Sequence, residues 1–329
     1  MPATVMYERD RHENKETLVM PFSDKRIQMQ GIIQNIENNL DIAIEQFTKT
    51  GSPEYQFQID HYGKELGRLR TEVWDHEREL DGQEIRNRMK LLSVGYGFVG
   101  SAVGEHIKSH VREHVIIDPA INENKISDHA DAEAAIVCLP TPSVNGRCDD
   151  SLVTGVIAEL LTANPDMKIL LKSTLPPDQL QFYPDNVTYN PEFLRAATAA
   201  QDYENQPFII LGGLDRAYWH RVFLYMGKEV IRTDRTTASM VKYMHNTWLA
   251  MKVAYFHEVY QRMGKYYDHN QMIDILAKFE NIGPSHMAVK DGLGFGGHCF
   301  PKDTEAFYEF TGSEILKRVI EVNNHLREL

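Results

Sequence analysis

The stretch "MKLLSVGYGFVGSAVGEHIKSH", residues 89–110, places an apolar run, a glycine turn and a helix-like segment in succession. Gly95, Gly97 and Gly100 form the pattern G-x-G-x-x-G, and the next apolar run, "EHVIIDPA", carries Asp118 near its end. A glycine turn that follows a strand, opens a helix and precedes an acidic residue by about twenty positions is typical of a dinucleotide site. An acidic residue at that place accepts hydrogen bonds from a ribose and repels a 2′-phosphate, so the motif favours NAD over NADP.

Further short apolar runs alternate with helix-like stretches, which predicts an α/β fold with an open, mostly parallel sheet. These runs are "AAIVCLP", "KILLKST", "VTYNP" and "PFIILGG". Three of them end in polar or proline-rich segments, namely "PTP" (140–142), "KSTLPP" (172–177) and "NPEFL" (190–194). Ligands bind at the carboxyl ends of parallel strands, so these endings predict one wall of a site.

Length and composition exclude several classes of protein. The 329 residues, 42% hydrophobic and 25% charged, are typical of a globular chain with two or three domains. The net charge of −12 argues against nucleic acid or an anionic membrane as the main partner. With no apolar run of membrane-spanning length and a charged N-terminal segment, the expected location is the cytoplasm.

The cysteine and histidine patterns do not predict a metal site. The three cysteines are too few and too scattered for a zinc site, so reduced thiols are expected. His106, His110 and His114 share one helix face, but no carboxylate is placed to complete a metal site there.

Residues 1–89 predict an N-terminal helical hairpin or a short coiled coil. Apolar residues recur at three- and four-residue spacing from Met29 to Phe47, and again from Tyr55 to Val73. The interpretation favoured for this extension is packing or oligomerisation rather than catalysis.

A second glycine-rich stretch, "GLGFGGHCFPKD" (292–303), places Cys299 just ahead of Pro301, a residue suited to the first turn of a helix. A helix N-terminus favours an anion, so the pattern predicts a lowered thiol pKa and a reactive thiolate. The alternative is a buried, inert cysteine, which is the commoner role of a free thiol.

A long helix is predicted from about Thr237 to Gly264, and it opens a helical central domain over residues 236–329, after a Rossmann-like NAD-binding domain over residues 90–235. Lys242 and Asn246 are four residues apart and share one face, where they can orient a hydroxyl or carbonyl oxygen. A solvated stripe is an equally open interpretation of that pair. The apolar residues of this helix include Met240, Met244, Trp248, Met251 and Tyr255. Some of them lie off the Lys242/Asn246 face, which predicts a homodimer or higher homo-oligomer through the helix.

In this order, these motifs closely resemble the UDP-glucose/GDP-mannose dehydrogenase family. The resemblance runs from about residue 90 to the end, through GYGFVG, VCLPTP, KSTLPP, NPEFLR, the K-x-x-x-N helix, GFGGHCFPKD and VIEVNNH. It implies NAD-dependent oxidation of a nucleotide-sugar C6 alcohol to a carboxylate in two hydride transfers, since the aldehyde is held covalently before the second hydride leaves.

The resemblance also implies residue roles. Cys299 is then the nucleophile, Lys242 and Asn246 hold the reacting oxygen, and Asp303 assists acid–base chemistry. Glu192 serves the hydrolytic step and Thr141 helps to organise a water. The candidate cofactor-binding residues are Gly95, Gly97, Phe98, Val99, Gly100, Asp118, Pro140, Thr141, Ser173 and Thr174. The candidate substrate contacts are Phe193, Leu194, Gly296 and Asn281, and no metal is expected.

The sequence departs from the family pattern in several places. It stops at Leu329, before the further α/β domain that grips the nucleotide in family members. It has Asn281-Ile282-Gly283 where UDP-glucose dehydrogenases have an R-I-G segment, and a second glutamate after the NPEF acid is replaced near Ala196. These departures predict weak substrate affinity, because binding energy from remote parts of a substrate orients its reacting carbon.

Two rival functions stay open. A 3-hydroxyacid dehydrogenase-like enzyme also uses a Rossmann domain and a Lys/Asn helix, but it needs no cysteine. A non-catalytic scaffold that retains the dehydrogenase fold is the other alternative, and the retention of Cys299, Lys242, Asn246, Asp303 and Glu192 together argues against it.

Overall fold

The computed structural model describes residues 22–144, 146–214, 216–289 and 292–329, without the side chains of residues 22–30 and 70–81. The chain divides between Glu77 and Arg78 into two compact units. That boundary lies before the predicted change of pattern at residue 90, and the division at residues 89/90 and 235/236 stays a prediction.

The first unit contains two helices, α1 (Phe22–Thr50) and α2 (Pro53–Arg88), the second of which crosses the boundary between the units. Gly51, at φ +63°, ends α1 with its N–H bonded to the Phe47 carbonyl, and this left-handed residue reverses the chain. The apolar stripes of the two helices pack together through Ile33, Ile36, Leu40, Tyr62, Leu66 and Leu69. The predicted helical hairpin is confirmed.

The second unit alternates strands and helices before ending in helices. In chain order it contains β1 (Lys90–Val94), α3 (Phe98–Ile107), β2 (Glu113–Ile117), β3 (Ala134–Val137), β4 (Ser143–Val144), β5 (Arg147–Cys148), α4 (Ser151–Ala163), β6 (Lys168–Leu171), α5 (Pro177–Leu180), β7 (Val187–Tyr189), α6 (Ala199–Glu204), β8 (Phe208–Gly212), α7 (Arg216–Tyr225), β9 (Glu229–Thr233), α8 (Arg235–Met263), α9 (His269–Leu276), α10 (Phe300–Thr311) and α11 (Glu314–Glu328). No described helix combines the length and the apolar character that crossing a membrane requires.

Seven strands form one sheet in the order β2-β1-β3-β6-β7-β8-β9. All neighbours are parallel except β7 and β8, which pair antiparallel at Tyr189 and Gly212. The predicted mostly parallel sheet and α/β class are confirmed, while β9 and the β4–β5 hairpin were not predicted. The chain leaves β1 for β2 on one side and reaches β3 on the other, so the strand order reverses beside β1, where α/β sheets bind ligands.

Helices cover both faces of this sheet. Consecutive strand residues such as Leu91 and Leu92 are both fully buried but belong to opposite faces. Residues of α3, α6 and α7 pack on one face, and residues of α4, α5, α8 and α10 pack on the other. A sheet buried on both sides explains why its strands are continuous apolar runs rather than alternating ones.

The helical part of the unit is organised around α8, close to its predicted bounds. Asp234 caps this helix by accepting a hydrogen bond from the Thr237 N–H at 2.8 Å. The later turns of α8 pack with α11 and with Phe295 of the second glycine stretch. The segment that carries Cys299 therefore rests on helices that lie far from it in sequence.

Candidate active site

The glycine turn after β1 is shaped by close backbone contacts. Gly95 has φ +82°, and a Cβ there would lie 2.4 Å from the carbonyl oxygen of Cys138. A Cβ at Gly100 would lie 2.1 Å from the carbonyl oxygen of Gly95. At Gly97, by contrast, a Cβ would meet nothing within 4 Å. The first and third glycines are therefore required by packing, and the second leaves the helix N-terminus open to a ligand.

Asp118 is held beside this turn by main-chain donors. Its carboxylate accepts hydrogen bonds from the Tyr96 N–H at 2.6 Å and from the Ala120 N–H at 2.9 Å. These two bonds fix the carboxylate one strand away from the glycines, which is the place that a ribose-binding acid requires.

A cavity of about 790 Å³ opens next to the glycine turn, at the carboxyl edge of the sheet. It brings together nine of the candidate residues from five separate parts of the sequence, namely Gly97, Phe98, Val99, Pro140, Thr141, Ser173, Thr174, Glu192 and Cys299. Its size suits a small molecule or a cofactor. The predicted cofactor wall and the predicted nucleophile thus face one space.

Hydrogen bonds tie the ends of β3 and β6 together in the cavity wall. The Thr141 hydroxyl donates to the Thr174 carbonyl at 2.9 Å, and the Ser173 hydroxyl accepts from the Leu139 N–H at 2.9 Å. Thr141 is nearly fully buried, so these hydrogen bonds hold the cavity wall in its shape.

Lys242 and Glu192 form a buried ion pair. Lys242 is 2% exposed, and its Nζ lies 3.0 Å from Glu192 Oε1 and also donates to the Glu192 main-chain carbonyl. The other carboxylate oxygen accepts from the Leu194 N–H at 2.7 Å. Burial opposes ionisation of Glu192, but Lys242 and this N–H outweigh it and lower the pKa of Glu192 below its ordinary value. Glu192 is therefore a carboxylate at neutral pH. The centroid of the Phe193 ring lies 5.3 Å from the Lys242 Nζ.

A second buried network joins α8 to α10. Asn246 Nδ2 donates to Asp303 Oδ2 at 2.7 Å, and Lys302 Nζ lies 2.6 Å from Asp303 Oδ1. Asp303 is 1% exposed, and its charge is matched by Lys302. His245 contacts the Asn246 side-chain oxygen at 3.0 Å, which orients the amide. The open choice between a solvated stripe and an inward pair is settled, because Lys242 and Asn246 both face inward.

Cys299 lies immediately before α10 and has Pro301 in the first turn, as expected. The expectation of a lowered pKa is wrong for this state of the protein. Burial raises the pKa of the Cys299 thiol, and the Asp303 and Glu192 carboxylates act in the same direction, while Lys242 and Lys302 oppose them. Desolvation and the carboxylates outweigh the cations, so the thiol is protonated at neutral pH.

The glycine stretch before Cys299 takes its shape from distant residues. Gly292, Gly294 and Gly297 have φ values of +101°, +77° and +79°. The Phe295 N–H donates to Asn323 Oδ1 at 2.6 Å, and the Gly294 N–H donates to His257 Nδ1 at 3.0 Å. Residues of α8 and α11 therefore hold the loop that presents the thiol.

All four predicted substrate contacts lie apart from the cavity lining. Phe193 packs beside Lys242, Leu194 is buried in the core on the sheet face covered by α3, α6 and α7, Gly296 is exposed beside Arg327, and Asn281 is exposed. Lys252 fixes the segment after Asn281 by donating to the Ile282 and Gly283 carbonyls. The roles of these four residues stay predictions.

Residues 236–325 match the model of the UDP-glucose/GDP-mannose dehydrogenase family, central domain. This region carries Lys242, Asn246, Cys299 and Asp303. A UDP-glucose 6-dehydrogenase of Rickettsia bellii is 31% identical over 216 residues, which cover 58% of this chain and 49% of that protein. Residues 236–325 are therefore similar to the central domain of this family.

Other comparisons agree with this similarity, and each covers only part of the chain. A GDP-mannose 6-dehydrogenase of Pseudomonas syringae pv. tomato is 28% identical over 207 residues, covering 55% of this chain and 47% of that protein. The chain spans about half the length of the curated relatives it matches. A solved UDP-glucose dehydrogenase of Pyrobaculum islandicum superposes with a TM-score of 0.62 at 24% identity, over 72% of this chain and 68% of that one, and shows the same fold.

Several residues of the site received no individual role from the sequence, although two of them lie in segments predicted to form its wall. Lys172 and Asn190 follow the ends of β6 and β7, and Lys302 pairs with Asp303. Asn323 holds the glycine loop from α11. The signal for the first two was present, since each is a polar residue directly after a buried strand. Asn323 gave no such signal, because its partner lies 28 residues earlier in the chain.

Proposed function

We propose that the protein oxidises the C6 alcohol of a nucleotide sugar to a carboxylate in two NAD-dependent hydride transfers, with Cys299 as the covalent nucleophile. One observation carries the proposal: a single cavity is lined by the glycine turn on one side and by Glu192 and Cys299 on the other. A dinucleotide fold alone needs no thiol at that place. A 3-hydroxyacid dehydrogenase would leave Cys299 without a role.

The residues beside β1 fit NAD. The open space at Gly97 and the fixed carboxylate of Asp118 meet the needs of a pyrophosphate and of a ribose without a 2′-phosphate. When bound, NAD accepts the hydride that leaves C6 in each oxidation. Phe98 and Val99 then lie at the same helix N-terminus, and Pro140, Ser173 and Thr174 form the adjoining wall.

Lys242 and Asn246 hold the C6 oxygen during the first oxidation. Both are held in place by buried carboxylates, Lys242 by Glu192 and Asn246 by Asp303, and each turns part of its hydrogen bonding to that oxygen as charge develops on it. As the alcohol carbon loses its hydride, the hydroxyl proton passes to Asp303, and an aldehyde results.

Cys299 then adds to the aldehyde. Because its thiol is protonated in the resting site, a carbon–sulfur bond forms as the thiol proton moves to the carbonyl oxygen, giving a thiohemiacetal. The thiohemiacetal carbon carries the hydrogen that leaves as the second hydride. Its hydroxyl proton passes to Asp303, which has released the first proton to water, and a thioester results. Covalent capture thus supplies a hydride donor that a free aldehyde lacks.

Glu192 completes the reaction as a general base. Water adds to the thioester carbon while the ionised Glu192 accepts one of its protons, and the carbon–sulfur bond breaks to release the acid and the Cys299 thiolate. Thr141, in the cavity wall, helps to position that water.

The same proposal includes a homodimer that works in the cytoplasm on a small-molecule substrate. Met244, Trp248 and Tyr255 form an exposed apolar stripe on α8, with Trp248 61% exposed, which favours a partner subunit there. Met240 and Met251, from the same predicted set, pack instead against the core under the sheet. All three cysteines are free thiols, in keeping with a reducing compartment.

The test is a screen of nucleotide sugars with NAD, followed by NADH absorbance and by mass spectrometry of the sugar product. We expect two NADH for each uronic acid formed, and a Michaelis constant for the nucleotide sugar near or above about 1 mM. Oxidation of small 3-hydroxyacids but of no nucleotide sugar would replace the proposal with the rival enzyme class. Binding of NAD without turnover of either class would favour the scaffold.

A further inference from the structure

Lys172 is a buried cation in the cavity wall that the proposed chemistry does not use. It follows β6 directly, is 3% exposed, and lines the same cavity as Glu192 and Cys299. Its Nζ donates to Asn190 Oδ1 at 2.6 Å, and Asn190 is anchored in turn by donating to the Ile210 carbonyl at 2.8 Å. An ammonium has three donors and a full charge, so burying it needs an explanation.

The partner of Lys172 leaves its charge uncompensated. Asn190 is a neutral amide, and within the described residues no carboxylate lies within ion-pair distance of Lys172, whereas Lys242 is paired directly with Glu192. The ammonium is thus fixed in position while its field still acts on its surroundings. Had residue 190 been an aspartate, the two charges would largely cancel.

Glu192 lies two residues after Asn190, and the charges of both lysines act on its carboxyl group. Lys242 and Lys172 each favour its ionised form. In the proposed chemistry Lys242 turns part of its hydrogen bonding to the C6 oxygen, which weakens its hold on Glu192. Lys172, fixed by Asn190, does not share that task.

We propose that Lys172 is a positioning residue that keeps Glu192 ionised, so that Glu192 accepts the proton of the water that hydrolyses the thioester. The inference rests on the proposed function for its chemical purpose. Its electrostatic part concerns only residues of this chain and is measurable without substrate.

The groups that face Lys172 define its pH response. Burial lowers the pKa of Lys172 to about 8, and Lys242 adds to this effect, while Glu192 opposes it. Cys138 stays a neutral thiol at that pH because burial raises its pKa to about 12. The Tyr203 ring lies 6.0 Å from the Lys172 Nζ. As the pH rises through about 8, Lys172 loses its charge, and Glu192 retains Lys242 alone.

The experiment is an NMR titration of the full chain labelled at the glutamate carboxyl carbons, with Glu192→Gln used to assign the Glu192 resonance. In Lys172→Met we expect the titration midpoint of Glu192 to rise by up to about one pH unit, since a cation that favours the ionised form is lost. Lys228→Met is the matched control. Lys228 is also a buried lysine close to Tyr203. Its Nζ lies 5.3 Å from the Tyr203 ring centroid and donates to the Tyr203 and Glu204 carbonyls. Lys228→Met should leave the titration midpoint of Glu192 unchanged.

An unchanged Glu192 midpoint in folded Lys172→Met, or an equal shift in Lys228→Met, overturns the proposal. Lys172→Gln, which keeps a donor for Asn190 but loses the charge, should reproduce the shift. The wild-type protein offers a test that needs no variant: the Glu192 resonance should show a second, smaller step near pH 8 as Lys172 deprotonates. Absence of that step also overturns the proposal.

The titration separates this inference from the proposed function. If the Glu192 midpoint moves as expected but no nucleotide sugar is oxidised, the reaction assignment fails and the electrostatic role of Lys172 stands. If acid forms and the midpoint does not move, the reverse holds. Where both succeed, the acid limb of the pH profile for acid formation should move to higher pH in Lys172→Met, while KM stays unchanged.

Discussion

The two glycine-rich segments of the second unit achieve their shapes in different ways. In the turn from Gly95 to Gly100, the first and last glycines are required because backbone carbonyls lie 2.4 and 2.1 Å from where a Cβ would be. In the loop from Gly292 to Gly297, Cβ atoms at Gly292 and Gly297 would meet nothing within 4 Å, although both residues have positive φ.

The comparison shows that a ligand-binding turn and a nucleophile loop are stabilised by different parts of the chain. The turn is fixed by its own backbone and by the end of β3, so its geometry follows once the sheet forms. The loop is fixed by His257 on α8 and Asn323 on α11. Substitutions should therefore act on cofactor affinity and local packing in the first case, and on the placement of Cys299 in the second.

The largest effect expected concerns the residue that the second loop presents. Cys299→Ser should reduce the rate of acid formation by more than about a hundredfold, because a hydroxyl is a far poorer nucleophile than a thiol and capture of the aldehyde is required. Cys148→Ser, which changes another buried thiol, should retain most activity. Both rates are measured as NADH formation together with the acid product, and full activity of Cys299→Ser would leave this cysteine as a packing residue.

In the first segment, Gly97→Ala should weaken NAD binding about tenfold or more and leave the melting temperature nearly unchanged, because the added methyl group enters open space where the pyrophosphate is expected. Gly100→Ala is the contrasting variant. Its methyl group would overlap the Gly95 carbonyl, so it should cost about 1–3 kcal/mol of unfolding free energy. Fluorescence titration with NADH and thermal melting separate the two, and equal affinities for wild type and Gly97→Ala would contradict this model of the turn.

In the second segment, Asn323→Ala should destabilise the protein by about 1–3 kcal/mol, because the buried Phe295 N–H loses its acceptor. The exposed neighbour provides a matched control, since Asn324→Ala should change stability by less than about 0.5 kcal/mol. Denaturant titration measures both. Equal stability of the two variants would mean that the loop is held by its own sequence, as the first turn is.

The smallest effect expected concerns the charge of Asp303, which acts on the pKa of the Cys299 thiol. The Asp303 carboxylate helps to raise the pKa of Cys299, so Asp303→Asn should shift the thiol titration to lower pH, and Lys302, freed from its pair, acts in the same direction. At pH 7 the thiolate fraction rises, and iodoacetamide should label Cys299 roughly two- to fivefold faster. Glu305→Gln, which alters another carboxylate of the cavity wall, should leave the labelling rate unchanged. Slower labelling of Asp303→Asn would show that the carboxylate promotes thiolate formation.

Local patterns were sufficient to predict most elements of the sheet and the long helix. Strands such as Ala134–Val137 and Phe208–Gly212 are continuous apolar runs because both of their faces are covered, and α8 begins at its Asp234 cap. The edge strand β9 (Glu229–Thr233) escaped prediction because its residues are largely exposed and polar, so it gives neither an apolar run nor strict alternation. The short β4–β5 hairpin offered too few residues for any period.

The sequence by itself determined the glycine turn, Asp118, the position of Cys299 before a helix and the family to which these motifs point, because each depends on residue types at short spacing. Only the tertiary structure decided that Lys242 pairs with Glu192, that Asn246 and Lys302 share Asp303, and that Lys172 has no carboxylate partner among the described residues. It also decided the direction of the Cys299 pKa, because that depends on burial and on carboxylates that reach the thiol from other elements. Electrostatic energies depend on distance through space and on exclusion of water, and neither is encoded in the spacing of residues along the chain.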